Sequence, residues 1–161
     1  MEGLADFVPK LGLVRRVITR PSSAGGEDFE GVTEAVFEEM AQDGVFALSW
    51  QAHGLSYGIP AVVKNHLEAG QDLLVNLSRG VLCEASELFP GLTILSVTAD
   101  RAVLAKRLAD RGRESAEEIV RRLDRAAFAL PDGLDVLLLD NSGALDATIR
   151  RGAQLLYPLS A

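Results

Sequence analysis

Three continuous apolar runs stand out along the chain: DLLVNL at 72–77, LTILSV at 92–97 and DVLLLD at 135–140. They read as strands buried on both faces, because a half-exposed strand would alternate apolar with polar residues. Two further runs, 14–19 and 45–51, also read as strands, with Arg15 and Arg16 leaving the start of the first one polar. Between the strands the apolar period lengthens to that of helices. Leu4, Phe7 and Val8 share one face of a short segment that Pro9 ends. Thr33 suits the N-cap of a helix over 34–42, with Gly44 just past its end. Pro60 and Gly70 bracket a helix over 61–69. Helices are expected over 100–110, over 115–130, where Ser115 and Glu118 have capping-box spacing, and over 144–155. Residues 20–31, rich in Pro, Ser and Gly, read as a loop, and 54–58 as a turn around Tyr57. Strands alternating with helices predict an α/β protein with a parallel sheet. No repeat or linker divides the chain, so 1–161 is expected to form one domain.

Composition narrows the class. Apolar residues make up 48% and charged residues 24% of the 161 positions, a globular balance with enough chain for a core. The net charge of −7 disfavours a nucleic-acid partner, which needs a basic surface. No run reaches the ~18 consecutive apolar residues of a membrane span, and MEGLADFVPK lacks the basic-then-apolar order of a signal peptide. A single cysteine, Cys83, excludes an internal disulfide, fits a cytoplasmic location, and reads as a buried structural thiol in its apolar surroundings.

Ligands of open parallel sheets bind beyond the carboxyl ends of the strands. Those ends carry Thr19-Arg20, the turn with His53 and Tyr57, Asn76-Leu77-Ser78-Arg79, and Asp140-Asn141-Ser142, a polar rim with few paired carboxylates. Residues 101–125 hold seven arginines and Lys106. They read either as a solvated helical face partnered by Glu117, Glu118 and Asp124, or as a lid whose planar guanidinium forks close on an anionic ligand, with Gly112 as a hinge. His53 and His66 are not spaced as a metal pair, so no zinc site is expected. His66 reads as exposed, His53 beside Gly54 as the candidate for function, and Trp50 as core. No nucleophile-elbow pattern is present.

The segments VRRVITRP, GGEDFEGVTEAVFEEM, FALSWQAHGLSYGIP and GQDLLVNLSRGVL together resemble the guanylate-kinase-like branch of the P-loop kinases, and within it the ribose 1,5-bisphosphate phosphokinases of phosphonate breakdown. The resemblance runs from about Leu13 to the end. It implies a parallel sheet flanked by helices, a small acceptor-binding subdomain over about 20–71 and a lid over 101–130. It implies ATP-dependent phosphorylation of ribose 1,5-bisphosphate to phosphoribosyl pyrophosphate, with ATP and Mg²⁺ as cofactors and a sugar phosphate as small-molecule partner. By the same resemblance Arg20 holds the acceptor's phosphate and the Tyr57 hydroxyl donates to it. Arg111 and Arg122 match lid arginines that neutralise the transferred phosphoryl group, which favours the lid over the solvated face, and Asn141 borders the adenine. Asn76 and Ser78 fall where guanylate kinases carry Asp-x-Asp, and Leu48 where they carry a glutamate facing guanine. Both guanine-reading carboxylates are missing, so guanine N–H groups would go unpaired and a base-free acceptor is favoured over guanylate or another nucleotide.

The family's first strand and its G-x-x-x-x-G-K phosphate loop have no counterpart in these residues, and PSSAGGED does not replace them. That loop cradles phosphates and places Mg²⁺, so residues without it are expected to lose nearly all turnover, and the alternative to the kinase reading is a non-catalytic sugar-phosphate-binding module. Strands left without this neighbour are expected to expose apolar edges, to be covered by rearrangement, a homo-oligomer or a strand-swapped dimer.

Overall fold

The computed structural model describes residues 1–111, 123, 130, 131 and 133–158, and the chain divides into two compact units, Met1–Ala85 and Ser86–Ala161. The expected helix over 115–130 lies almost wholly outside the described residues, as does most of the expected lid.

The first unit begins with helix α1 (Glu2–Phe7), followed by β1 (Leu11–Leu13), which pairs in parallel with β6 (Asp72–Leu74). Its main sheet has four strands in the order β3-β2-β5-β4, formed by β2 (Arg16–Ile18), β3 (Phe29–Gly31), β4 (Phe46–Ala52) and β5 (Leu55–Pro60). β2 runs parallel to β3 and antiparallel to β5, and β4 and β5 form an antiparallel hairpin. Ile18 lies opposite Tyr57, Trp50 opposite Tyr57, and Leu48 opposite Ile59. Direct partners share a face and strand residues alternate, so Arg16, Ile18, Tyr57, Ile59, Trp50 and Leu48 all lie on one side of the sheet. Ile18, Leu48 and Ile59 are its buried apolar centre, each contributing about 1.5–3 kcal/mol through burial. On the other side the Phe46 ring passes over Gly58, where a Cβ would stand 2.5 Å from it. Helix α2 (Glu34–Gln42) stacks Phe37 on Phe46 with centroids 4.7 Å apart. Thr33 caps α2 as expected, its hydroxyl accepting from the Val36 N–H at 3.3 Å. Helix α3 (Val63–Glu68) then leads into β6.

Several elements differ from the sequence expectation. Of the run 14–19 only Arg16–Ile18 forms a strand, β2; an unexpected strand, β1, precedes it at Leu11–Leu13, and Val14-Arg15 separates the two because they belong to different sheets. The loop 20–31 ends in β3, which pairs alongside β2. The turn is not around Tyr57, which lies within β5; it is His53-Gly54, both at positive φ (55° and 74°), the pattern of a two-residue hairpin whose twist matches its strands. Only Leu4 of the first helix is buried, whereas Phe7 is exposed. Helix α4 (Leu82–Leu88) buries Leu82 and Ala85, one turn apart, which leaves Cys83 on its outer side, exposed rather than buried.

In the second unit β7 (Ile94–Thr98) pairs in parallel with β8 (Val136–Asp140), followed in the chain by α5 (Arg101–Arg111) and α6 (Leu145–Leu156) respectively. Leu139 is buried, as are Thr148, Gly152 and Ala153 along the inner side of α6. The expectation of burial on both faces fails here: Val97 and Leu138 are 57% and 71% exposed, because the pair is two-stranded among the described residues. In β6 the same expectation fails, with Asp72 exposed and Leu73 and Leu74 half-buried. No helix among the described residues is long and apolar enough to cross a membrane.

Gly31 sets the bend that carries Arg20: a Cβ there would lie 2.4 Å from the Arg20 carbonyl oxygen and 2.6 Å from the Ser22 nitrogen. Both are backbone atoms that cannot turn away. Gly31→Ala is expected to destabilise the protein by about 1–3 kcal/mol in urea denaturation, while Gly80→Ala, with open space around it, leaves the midpoint unchanged.

Candidate functional site

The polar centre of the first unit is Arg16. Its side chain is only 6% exposed although it opens the strand that looked polar in sequence. Nη1 donates to the Asn76 carbonyl oxygen at 2.9 Å, and Nη2 donates to the Glu27 carboxylate. The guanidinium carbon stands 5.1 Å from the Tyr57 ring centre and 5.9 Å from that of Trp50. Those two rings stack at 5.2 Å, only 9° from parallel. A cation among π faces and a carboxylate is the arrangement that makes burial of an arginine tolerable. Removing Glu27 alone would leave a buried charge uncompensated, at a cost of about 3–5 kcal/mol. Arg15 next to it makes a second pair, to Asp28 at 3.2 Å, but both partners are largely exposed, so it adds at most about 1 kcal/mol.

Glu27 and Asp28 come from an arm opened by Gly25 and Gly26, both at positive φ (71° and 99°). The same arm receives Arg20, whose Nη2 donates to the Gly25 carbonyl at 3.0 Å while its guanidinium carbon sits 4.2 Å from the Phe29 ring centre. Thr19 anchors the strand end by accepting from the Ser56 N–H at 2.8 Å. The Nε atoms of Arg16 and of Arg20 are both buried, and neither has a hydrogen-bond partner. Buried donors without partners among the described residues are rare, and each is a point at which an acceptor can be bound.

Of the residues expected from sequence, Tyr57 and Asn76 therefore meet at Arg16. Ser78 joins them through Trp50, whose indole Nε1 donates to the Ser78 hydroxyl at 2.8 Å. Leu48 lies on the same sheet face, buried at 3% exposure, with no polar atom to offer a ligand. His53 stands apart, exposed in the hairpin turn and lining a cleft of about 690 Å³ with Glu34, Glu38 and Trp50. A smaller cleft of about 290 Å³ borders the Arg16 cluster and is lined by Leu13, Val14, Arg15, Glu27, Asp28 and Asn76, among others. Sequence reasoning missed Arg16 and Glu27. Strand alternation offered the signal, since residues 16, 18 and 20 fall on one side of an extended chain.

In the second unit Asn141 is held on every side. Its N–H donates to the Thr98 carbonyl at 2.7 Å, and its side-chain oxygen accepts from the Thr148 hydroxyl at 3.2 Å. Arg107, one of the seven arginines read from sequence as either a solvated face or a lid, donates to the Asn141 and Gly143 carbonyls at 2.5 and 3.1 Å. The Ser142 hydroxyl and N–H both donate to Asp140, and these bonds, the hydroxyl first, hold its carboxyl below the usual carboxylate range. Asp100 accepts from the Ala102 N–H and so caps α5, while its own N–H donates to Ser142 Oγ at 2.7 Å. Arg111 ends α5, and Arg122 lies outside the described residues.

The fold as a whole is that of the guanylate kinases: the crystal structure of guanylate kinase from Anaplasma phagocytophilum matches with a TM-score of 0.66 over 96% of this chain and 79% of that one, at 16% identity. No family model matches the sequence. Ribose 1,5-bisphosphate phosphokinase PhnN of a Ruegeria species is 54% identical over 150 residues, covering 92% of this chain and 79% of its own length. The protein of that name from Pseudomonas fluorescens is 48% identical over 144 residues, covering 86% of this chain and 76% of its own. The chain belongs to the ribose 1,5-bisphosphate phosphokinase family, a family of phosphotransferases.

Two outcomes are expected for the Asn141 corner. Arg107→Met removes two charge-assisted bonds and lowers the stability measured in urea by about 1–3 kcal/mol. Asp140 has a folded pKa below its unfolded one, so its contribution is complete above the unfolded value of about 4 and fades as pH falls through the lower folded value. Asp140→Asn accordingly lowers the melting temperature slightly near neutrality and converges with the unsubstituted protein as pH falls below about 4, which flattens the acid limb of the profile.

Proposed function

We propose that this protein transfers the γ-phosphoryl group of ATP to ribose 1,5-bisphosphate, giving phosphoribosyl pyrophosphate and ADP in phosphonate breakdown. An oxygen of the 1-phosphate forms the new bond to phosphorus as the bond to ADP breaks. Arg20 and the Tyr57 hydroxyl hold the acceptor phosphate, Asn76, Ser78 and His53 contribute to the acceptor side, Asn141 borders the adenine, and Arg111 and Arg122 neutralise the moving charge. Catalysis of this kind is positioning plus electrostatic stabilisation. Mg²⁺, when bound with ATP, would supply charge neutralisation of the phosphates. No group of three His, Cys, Asp or Glu suited to a metal ion occurs among the described residues, so no protein ligand is assigned to it.

The observation that carries the choice of acceptor is the character of the Leu48 face. Leu48 is buried and apolar, and the Ser78 hydroxyl is engaged by Trp50, so no carboxylate is present at either position to pair with guanine N–H groups. The cation on that face is the Arg16 guanidinium, paired with Glu27, and a guanidinium suits phosphate oxygens. A site without base-pairing groups beside two arginines fits a sugar phosphate and disfavours a purine nucleotide.

The full-length protein is expected to form phosphoribosyl pyrophosphate from ATP and ribose 1,5-bisphosphate and to bind GMP undetectably by calorimetry. Micromolar GMP binding would overturn the Leu48 argument, and tight sugar-phosphate binding without turnover would make the protein a binding module instead. Arg20→Ala is expected to raise KM for the sugar about 10- to 100-fold, the equivalent of one charged hydrogen-bonding group, with an unchanged circular dichroism melt.

A further inference from the structure

We propose that Arg16 is a specificity-determining residue that binds the second, non-reacting phosphate of the acceptor, and that Glu27 occupies its place until the acceptor arrives. The inference rests on the sugar-bisphosphate reading above: if Arg20 takes the reacting phosphate, the acceptor carries a second dianion that needs its own cation. Arg16 opens β2, and Arg20 follows just past its other end, after a bend in which the Arg20 N–H donates to the Ile18 carbonyl at 2.8 Å, so the two arginines stand at either end of one short strand. A doubly phosphorylated pentose carries one anionic group for each of the two guanidinium groups.

Four observations converge on this role. Arg16 Nε is buried and lacks a partner, although the other end of the fork is occupied. Its Nη2 is held by a carboxylate, an anion in the position where a phosphate oxygen would bind, since both accept from the same planar fork. That carboxylate is carried on the Gly25-Gly26 arm, whose left-handed glycines let the segment re-route without a side-chain penalty. The 290 Å³ cleft is lined by Glu27 and Asn76, the two polar partners of Arg16, and not by Arg16 itself, so it is the departure of Glu27 that would open the guanidinium to that space.

The remaining contacts separate selectivity from plain charge. The stacked Trp50 and Tyr57 rings and the Asn76 carbonyl fix the plane of the guanidinium before any ligand is present. A fixed fork reads the bidentate geometry of a phosphate, which an ammonium group cannot do. Displacing Glu27 exchanges one anion for another, so Arg16 is never left buried and unpaired during binding. The same exchange makes a neutral sugar or an unphosphorylated end a poor ligand, since neither replaces the lost carboxylate.

The test is calorimetric titration of full-length protein with ribose 5-phosphate and with ribose 1,5-bisphosphate. Glu27→Gln removes the competing anion while keeping the shape, and is expected to tighten both ligands about tenfold, one charge-assisted hydrogen bond's worth. Glu27→Asp, which keeps the buried charge compensated but withdraws it by one methylene, tightens them less and serves if the glutamine variant does not fold. Arg16→Lys weakens ribose 5-phosphate at least tenfold, whereas Arg20→Lys weakens the bisphosphate more than ribose 5-phosphate. Unchanged or weaker binding in both Glu27 variants would show a purely structural ion pair and overturn the proposal, even if the enzyme turns over normally. Binding of GMP but of neither sugar phosphate would instead overturn the sugar-bisphosphate reading itself.

Discussion

A guanidinium with almost no access to water sets the terms for the whole first unit. Burying Arg16 requires a carboxylate, a carbonyl and π faces at once, and these come from four separate places: the arm at Glu27, the segment after β6 at Asn76, and the neighbouring strands at Trp50 and Tyr57. Each of those segments is thereby tied to β2. The arm would otherwise be a glycine-rich loop with little to hold it, and the segment at Asn76 and Ser78 would keep only the Trp50–Ser78 bond to the sheet. Satisfying one costly charge thus assembles the residues proposed to meet the acceptor, since a half-satisfied buried network is worse than none.

The second unit uses arginine differently. Arg107 grips two backbone carbonyls just past β8, and the Asp140–Ser142–Asp100 chain ties the end of that strand to the start of α5. Asn141 has its N–H and its side-chain oxygen committed to the protein. A residue so held offers a fixed edge to a ligand rather than an adaptable one, which suits a wall beside a flat ring.

How far the sequence could be read depended on whether the deciding contact was local. Thr33 and Gly44 placed α2 within a residue because caps act inside one turn. The strands were located but misjudged in burial: Leu138 lies in a run as apolar as any, yet it is 71% exposed, because burial depends on how many strands a sheet has. Tyr57, Asn76 and Ser78 were legible through family resemblance, and the structure draws them into one cluster. Arg16 was passed over as a polar strand start because its partners lie 11 and 60 residues away, a separation that no local pattern encodes. His53 drew attention for its chemistry, while its backbone shows it serving the hairpin turn.

The central claim is that two arginines, not one, take the acceptor's two phosphates. Nitrogen–proton NMR of the arginine side chains, titrated with ribose 1,5-bisphosphate, observes the two buried Nε–H groups directly. The account predicts that the Arg16 and Arg20 signals shift together and saturate at the same concentration as each gains its missing acceptor. A shift of Arg20 alone, with the Arg16 signal unmoved at saturation, would contradict it.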